Sequence, residues 1–161
     1  MNYRNFMVPG ILVILLTLIG GMLAAMNIVR EKEIGTMEQI NVTPVPKYIF
    51  ILAKLVPFWV IGLILLTIGM FVAWLIYGLI PVGYFIDIYL FSFLYLMAFT
   101  GFGLMISNFA DTQQQAMFMA FFFLIFFILL SGLFTPISSM PQWAQALTIV
   151  NPLRYFVEVI R

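Results

Sequence analysis

The sequence predicts an all-α, polytopic membrane protein with four transmembrane helices, and its composition and charge distribution carry this prediction. Hydrophobic residues make up 65% of the 161-residue chain and charged residues only 8%, whereas a soluble domain carries roughly 25% charged residues. Long uncharged runs cover residues 5–29 and 55–86, and five charged residues fall between them, within residues 30–38. With a mean hydropathy of +1.16, the chain has too little polar surface for a soluble globule. We therefore expect residues 1–161 to form a single membrane domain.

Four spans are predicted, at residues 8–29, 48–77, 86–107 and 116–133. A helix needs about 20 apolar residues to cross the ~30 Å hydrocarbon layer of a bilayer, and these runs are long enough. Pro136 ends the last span, because proline cannot donate the next backbone hydrogen bond of a helix.

Small residues recur within the first predicted span. Gly20 precedes Ala24 by four residues, and Gly21 precedes Ala25 by the same distance. This spacing lets another helix approach closely. It predicts either ordinary helix packing within the chain or a contact between subunits.

The charged segment at residues 30–46 separates the first two spans. Ile34, Met37 and Ile40 share one side of a helical wheel, and polar residues take the other side. This pattern predicts a short interfacial helix with its apolar side toward the bilayer, ended by Pro44. Composition alone favours a passive solvated loop, and the alternative is a surface that binds a partner.

The section after the last span, residues 135–161, differs from the rest. Its first part is rich in proline and serine, and we expect it to fold back at the membrane without crossing. Leu153, Phe156 and Val157 then recur with helical spacing. This amphipathic pattern predicts a helix lying at the membrane surface.

The distribution of lysine and arginine predicts the orientation. The side of the charged segment holds Arg30, Lys32, Lys47 and Lys54, against three arginines on the opposite side. Because cytoplasmic loops carry an excess of basic residues, this favours a cytoplasmic segment at residues 30–54.

The sequence lacks the residues that several kinds of chemistry require. Histidine and cysteine are absent, so the commonest metal ligands and the usual general base are missing. No predicted span holds an ionisable residue in its middle, which argues against a proton relay. No GxxxxGK[ST] phosphate loop occurs, so ATP is not bound in that way. A net charge of +1 gives no basic field for nucleic acid. We expect neither catalytic nor metal-ligating residues in this chain.

Five sequence stretches, taken together, are similar to the membrane subunit of type-2 ATP-binding-cassette (ABC) exporters, in the multidrug-efflux-like branch. The match covers essentially the whole chain, in order and with compatible spacing. The stretches are residues 5–10, residues 30–39, residues 101–107 continuing to 112–117, residues 130–132 with 140–143, and residues 151–156.

The resemblance implies a role for two sets of residues. The first would form a cytoplasmic coupling helix that docks on an ATPase subunit: Glu31, Lys32, Glu33, Gly35, Thr36, Met37, Glu38 and Gln39. The second would be structural family motifs: Gly101, Gly103, Gln113, Gln114, Gln115, Asn151, Pro152 and Arg154.

The resemblance also implies partners and a location. A separate ABC ATPase subunit would bind ATP and magnesium, and a second permease copy would form a homodimer or heterodimer in a bacterial inner membrane. Family members have six spans and, in this branch, an external domain after the first. The four predicted spans would be the second to fifth, with residues 135–161 as external re-entrant helices. We therefore expect part of a longer permease that exports a drug-like or lipid-like substrate. The alternative is a non-transporting scaffold or an inactive truncated permease.

Overall fold

The computed structural model describes the backbone of residues 3–80 and 83–160, and the side chains from Met7 onward within these ranges. This part of the chain is helical and contains no strand, which confirms the predicted all-α class. The α-helices are α1 (Tyr3–Thr17), α2 (Ala24–Ile34), α3 (Thr36–Asn41), α4 (Lys47–Tyr77), α5 (Phe85–Phe109), α6 (Gln113–Leu129), α7 (Gln142–Val150) and α8 (Pro152–Ile160).

The first apolar helix runs through α1 and α2 without a break. A π-helical segment, Leu18–Leu23, joins the two, and the apolar helix Met7–Ile34 contains 28 residues. It continues beyond the predicted end of the span at residue 29, because the charged residues that follow Val29 extend the same helix. Gly35 ends α2 with a φ angle of 82°, a left-handed conformation that glycine adopts without steric cost.

The long apolar runs form α4 and α5 close to the predicted bounds. α4 contains 31 residues and continues through Pro57, and α5 contains 25 residues. Together with Met7–Ile34, these are the helices in the described part of the chain that are long and apolar enough to cross a membrane.

The fourth predicted span is shorter in the structure than in the sequence-based prediction. α6 contains 17 residues, which gives roughly 25 Å at 1.5 Å per residue. It begins at Gln113, where the hydroxyl of Thr112 accepts a hydrogen bond from the Gln115 amide at 3.3 Å, and it ends at Leu129 rather than at residue 133. A turn follows, in which Gly132 has a φ angle of 77°.

The C-terminal section consists of short helices, and the apolar face of the last one packs against protein. A 3₁₀ turn at Ile137–Ser139 precedes α7 and α8, each nine residues long. Leu153, Phe156 and Val157 of α8 are buried in the main core cluster with residues of α1 and α5. The Phe156 ring stacks on Tyr95 with 4.3 Å between centroids. The amphipathic pattern reports burial against protein here, because α8 packs on other helices.

α5 lies at the centre of the fold, and its closest approach to the first helix involves glycines. A Cβ atom at Gly20 would lie 3.2 Å from Phe99, and one at Gly103 would lie 2.7 Å from the carbonyl oxygen of Gly21. Ala24 and Ala25 are buried within the same chain. The small residues of the first span therefore serve helix packing inside the chain, one of the two predicted alternatives.

Candidate functional site

Gly35 divides the charged segment into two parts with different environments. Residues 30–34 form the last turn of α2, and the six residues Thr36–Asn41 form the separate helix α3. The Gly35 amide donates to the Lys32 carbonyl at 3.1 Å, and the Gly35 carbonyl accepts from the Glu38 amide at 3.2 Å. The prediction of one continuous interfacial helix is therefore wrong, since the left-handed glycine redirects the chain.

Glu31 connects the end of α2 to α4. Lys54 Nζ donates to Glu31 Oε1 at 2.5 Å, and the side chains are 30% and 18% exposed, respectively. We expected Glu31 to be an exposed contact for a partner, but it is half-buried and ion-paired within the chain. A partly exposed pair of this kind contributes up to about 1 kcal/mol to stability.

Lys32 connects the same turn to the C-terminal end of α5. Its ammonium group donates to the backbone carbonyl of Ser107 and, at 3.4 Å, to that of Ala110. The last carbonyls of a helix have no partner within the helix, and they carry a partial negative charge that attracts a cation. Lys32 thus caps α5 from a neighbouring helix.

Glu33 connects the turn to the N-terminal end of α6. Its Oε2 accepts a hydrogen bond from the Gln113 amide at 3.2 Å and another from Gln113 Nε2 at 3.0 Å. A carboxylate is favoured at the first turn of a helix because the exposed amides carry a partial positive charge.

Three consecutive residues, Glu31, Lys32 and Glu33, therefore bind three different helices. Successive residues of an α-helix point about 100° apart, so a run of three fans out toward α4, α5 and α6. We call this arrangement the three-residue clamp. Sequence reasoning found these residues but not their partners, since Lys54, Ser107 and Gln113 lie 23 to 80 positions away.

α3 projects from this clamp with an exposed polar surface. Glu38 and Gln39 are exposed, while Thr36, Met37 and Ile40 are half-buried. Ile34 does not share their environment, because it precedes the break at Gly35 and is 64% exposed. Of the residues predicted for coupling, Glu38 and Gln39 are thus exposed on α3, whereas the exposed Glu33 already binds Gln113.

The family-motif glycines and glutamines differ in what they contact. Gly101 is exposed, and a Cβ atom added there would meet nothing within 4 Å, whereas Gly103 faces the backbone of Gly21. Gln113 binds the clamp, and Gln115 Oε1 accepts from the Asp111 amide at 3.1 Å. Gln114 is exposed. Gly103, Gln113 and Gln115 thus form structural contacts of α5 and α6.

Asn151 holds the start of α8 against α6. Its Nδ2 donates to the Phe127 carbonyl at 2.8 Å, and its Oδ1 accepts from the Leu153 amide at 3.0 Å. Pro152 follows as the first residue of α8, where its missing N–H costs nothing. Arg154 donates to the Thr148 hydroxyl at 3.1 Å and to Glu158 at 3.3 Å. The motif therefore positions α8 for its burial in the core.

A cavity of about 470 Å³ lies at the end of the helices opposite to the clamp. Apolar side chains such as Leu12 and Leu66 form most of its wall, and Asp87 lies at its edge. Within the described ranges, no group of His, Cys, Asp and Glu could hold a metal ion.

Comparison with known protein families shows the class of protein to which this chain belongs. The family model described as ABC-2 type transporter matches residues 1–161, and the chain belongs to this family. The described part of the chain has several helices long and apolar enough to cross a membrane, as a membrane permease component of this family requires.

Particular relatives are bacterial permeases. The chain is 34% identical to the probable multidrug ABC transporter permease YbhR of Escherichia coli, over 100% of this chain and 44% of the relative. It is 33% identical to the probable multidrug ABC transporter permease YbhS of the same organism, over 98% and 42%. It is 28% identical to the inner membrane transport permease YhhJ, also from Escherichia coli, over 89% and 39%. The chain thus spans less than half the length of these relatives. No solved structure matches the chain.

Proposed function

We propose that the chain forms the central membrane part of an ATP-driven exporter, in which α3 is the coupling helix that docks on a separate ABC ATPase subunit. The observation that carries this proposal is the placement of α3 directly beside the three-residue clamp. A force on α3 reaches Gly35 and then Glu31, Lys32 and Glu33, which bind α4, α5 and α6. Packed helices move as units, so this connection would transmit a movement of the ATPase to several spans at once.

In this proposal the coupling surface is narrower than the sequence indicated. Glu38 and Gln39 would contact the ATPase directly, with Met37 filling an apolar hollow of the partner. Gly35 and Thr36 would set the direction of α3. Glu31, Lys32 and Glu33 would act inside the permease by holding its helices together.

The membrane arrangement follows from the same proposal. The segment at residues 30–54 would face the cytoplasm, and residues 135–161 would lie at the outer face. The fourth crossing, predicted at residues 116–133, would consist of α6 and the turn after Leu129. The turn would cover the part of the hydrocarbon layer that the 17 residues of α6 do not span. ATP and magnesium would bind to the partner ATPase, and a second permease copy would complete the transporter in a bacterial inner membrane.

The proposed cargo is a hydrophobic drug-like or lipid-like compound. The names of YbhR and YbhS describe them as probable multidrug permeases. The apolar cavity of about 470 Å³ in this chain has the size of a small-molecule site, which is typically about 300–1,000 Å³.

The test is reconstitution of the intact permease, carrying these residues, with an ABC ATPase encoded beside it. We expect the two to purify together and the ATPase rate to rise when hydrophobic drug-like compounds are added. A permease that neither binds the ATPase nor changes its rate would instead support the scaffold alternative.

A further inference from the structure

The buried core of the helix bundle is divided into two parts along its length. On the side of the large cavity, one cluster joins the long helices through residues such as Leu16, Leu66 and Phe99, and we call this part the cavity half. On the side of the three-residue clamp, smaller clusters are built around residues such as Ala24, Leu55 and Ile106, and we call this part the clamp half. Among the described residues, the clusters of the two halves have no buried side chain in common.

The first apolar helix changes its backbone geometry between the two halves. The π-helical segment Leu18–Leu23 lies between Leu16 of the cavity half and Ala24 of the clamp half. Its hydrogen bonds close over five residues instead of four, and it contains the pair Gly20 and Gly21. Sharp bends in helices occur at π-helical turns and at glycine pairs. This segment is therefore the point at which the helix bends most easily.

α4 and α5 carry their own weak points in the corresponding intervals. Pro57 lies inside α4, two residues from Leu55 on the clamp side, and it removes one backbone hydrogen bond of the helix. Gly101 and Gly103 lie inside α5, between the cavity half and the clamp half. A glycine within a helix destabilises it by about 0.5–1 kcal/mol relative to alanine. Each long helix thus has a weak point where the core changes from one half to the other.

Direct contacts place these weak points at the same depth in the bundle. A Cβ atom at Gly103 would lie 2.7 Å from the carbonyl oxygen of Gly21, so α5 and the π-helical segment meet there. Trp59, two residues after Pro57, donates from Nε1 to the Thr100 hydroxyl at 2.9 Å. The Trp59 ring packs against the cluster of the cavity half and against one cluster of the clamp half. It therefore lies at the boundary between the halves.

We propose that the π-helical segment, Pro57 and the glycines of α5 form one flexible level, at which the clamp half tilts relative to the cavity half. The three-residue clamp binds α4, α5 and α6, so the parts of these helices in the clamp half move together. A hinge confines the backbone change to a few residues, which leaves the packing within each half intact. The movement is a property of this chain, and only its use in transport rests on the proposed function.

Pulsed electron–electron double resonance between pairs of spin labels tests the movement. The chain has no cysteine, so each pair can be introduced alone at exposed positions. Gln114→Cys with Leu75→Cys spans the flexible level. Lys47→Cys with Gln114→Cys lies within the clamp half, and Leu75→Cys with Val150→Cys lies on the cavity side.

The width of each distance distribution is the result that decides. In lipid nanodiscs we expect the pair across the level to give a distribution at least about twice as broad as the other two pairs, because a frozen sample retains every populated conformer. The pairs within each half report the width that the labels themselves contribute. Equal widths for all three pairs would show one rigid body and would overturn the proposal.

A stiffened variant tests whether these residues cause the movement. Gly21→Ala, Pro57→Ala and Gly101→Ala are combined in it, because each restores ordinary helix and fits the structure. A Cβ at Gly21 would lie 3.5 Å from Phe99, an ordinary contact, and one at Gly101 would meet nothing within 4 Å. We expect the distribution across the level to narrow to the width found within the halves.

The control for the stiffened variant makes the same kinds of change outside the helices. Pro44→Ala with Gly83→Ala should leave the width across the level unchanged, and a Cβ at Gly83 meets nothing within 4 Å. Unchanged distances within each half show that the stiffened variant is folded. An unchanged width across the level in that folded variant would overturn the proposal. These measurements contain no ATPase, so their outcome is independent of whether α3 docks on one.

Discussion

Glu33 accepts two hydrogen bonds from Gln113, one from the backbone amide at 3.2 Å and one from the side-chain amide at 3.0 Å. The two residues lie 80 positions apart, at the end of α2 and the start of α6. The sequence analysis assigned Glu33 to the predicted coupling helix and Gln113 to a structural family motif. The structure joins them in one contact, which fixes the first turn of α6 against the end of α2.

The first prediction concerns the stability of this contact. Glu33→Ala should lower the free energy of unfolding by about 0.5–1 kcal/mol, because an exposed hydrogen-bonded carboxylate contributes modestly. Gln113→Ala should have a similar effect, and the double variant should be less destabilised than the sum of the two. Reversible unfolding in mixed detergent micelles measures these values. Glu38→Ala is the matched control and should remain within about 0.5 kcal/mol of the parent. Strictly additive effects of the two alanines would contradict the contact.

The second prediction separates the two glycines of the Gly101–Gly103 motif. A Cβ at Gly103 would lie 2.7 Å from the Gly21 carbonyl oxygen, and backbone cannot move away as a flexible side chain can. Gly103→Ala should therefore destabilise the chain by about 1–3 kcal/mol. Gly101→Ala meets no atom within 4 Å, and it should be neutral or stabilising by up to about 1 kcal/mol, since alanine favours helix. Thermal unfolding of both variants in one detergent measures the difference. Equal stability would show that the helices do not cross closely here.

The sequence predicted some features of this structure and not others, depending on how far apart in the sequence the contacting residues lie. Hydropathy predicted α4 and α5, because a long apolar run has few alternatives in a membrane protein. The division of the charged segment at Gly35 could not be read from a helical wheel, since the left-handed turn depends on where the surrounding helices hold each side. The partner of Glu33 was equally inaccessible, because nothing local marks a residue 80 positions away.

The amphipathic pattern of α8 illustrates a second reason for the difference. Apolar residues at helical spacing indicate that one face of a helix is buried, but not what buries it. A membrane surface and a protein core give the same pattern. In the structure the apolar face of α8 packs on protein, and the hydrogen bond from Asn151 to the Phe127 carbonyl holds the start of α8 against α6.

The third prediction concerns the orientation of the clamp. The chain has no cysteine, so a single introduced cysteine reports its own position. In intact cells, Thr36→Cys should resist a membrane-impermeant thiol reagent and should react after the cells are opened. Thr36 is half-buried, so the exposed Asn41→Cys in the same helix serves as the control for accessibility. Labelling of either cysteine from outside intact cells would reverse the predicted orientation.

The fourth prediction concerns the segment between α6 and α7. Ser138 is exposed within the 3₁₀ turn Ile137–Ser139, and the prolines around this turn prevent a continuous spanning helix. If the chain crosses the membrane through α6, this turn lies at the outer face. Ser138→Cys should then react with the impermeant reagent in intact cells. Reaction only after cell opening would show that α6 does not cross as proposed.

The last prediction tests coupling with a reversal of charge at Glu38. Glu38 is exposed on α3, so Glu38→Lys should change the stability of the permease by less than about 0.5 kcal/mol. At a docking surface the same change places like charges together if the partner groove is basic, which can cost several kcal/mol. In the intact permease we therefore expect membrane abundance close to that of the parent, with ATPase co-purification and transport reduced at least fivefold.

Glu33→Lys is the contrasting variant, because it places a cation at the start of α6 and should lower the membrane abundance of the permease itself. The measurements are quantitative blotting of membranes, ATPase recovery after affinity purification, and efflux from cells. Unchanged ATPase recovery in both Glu38→Lys and Met37→Lys would remove α3 as the docking element, whatever the result for Glu33→Lys.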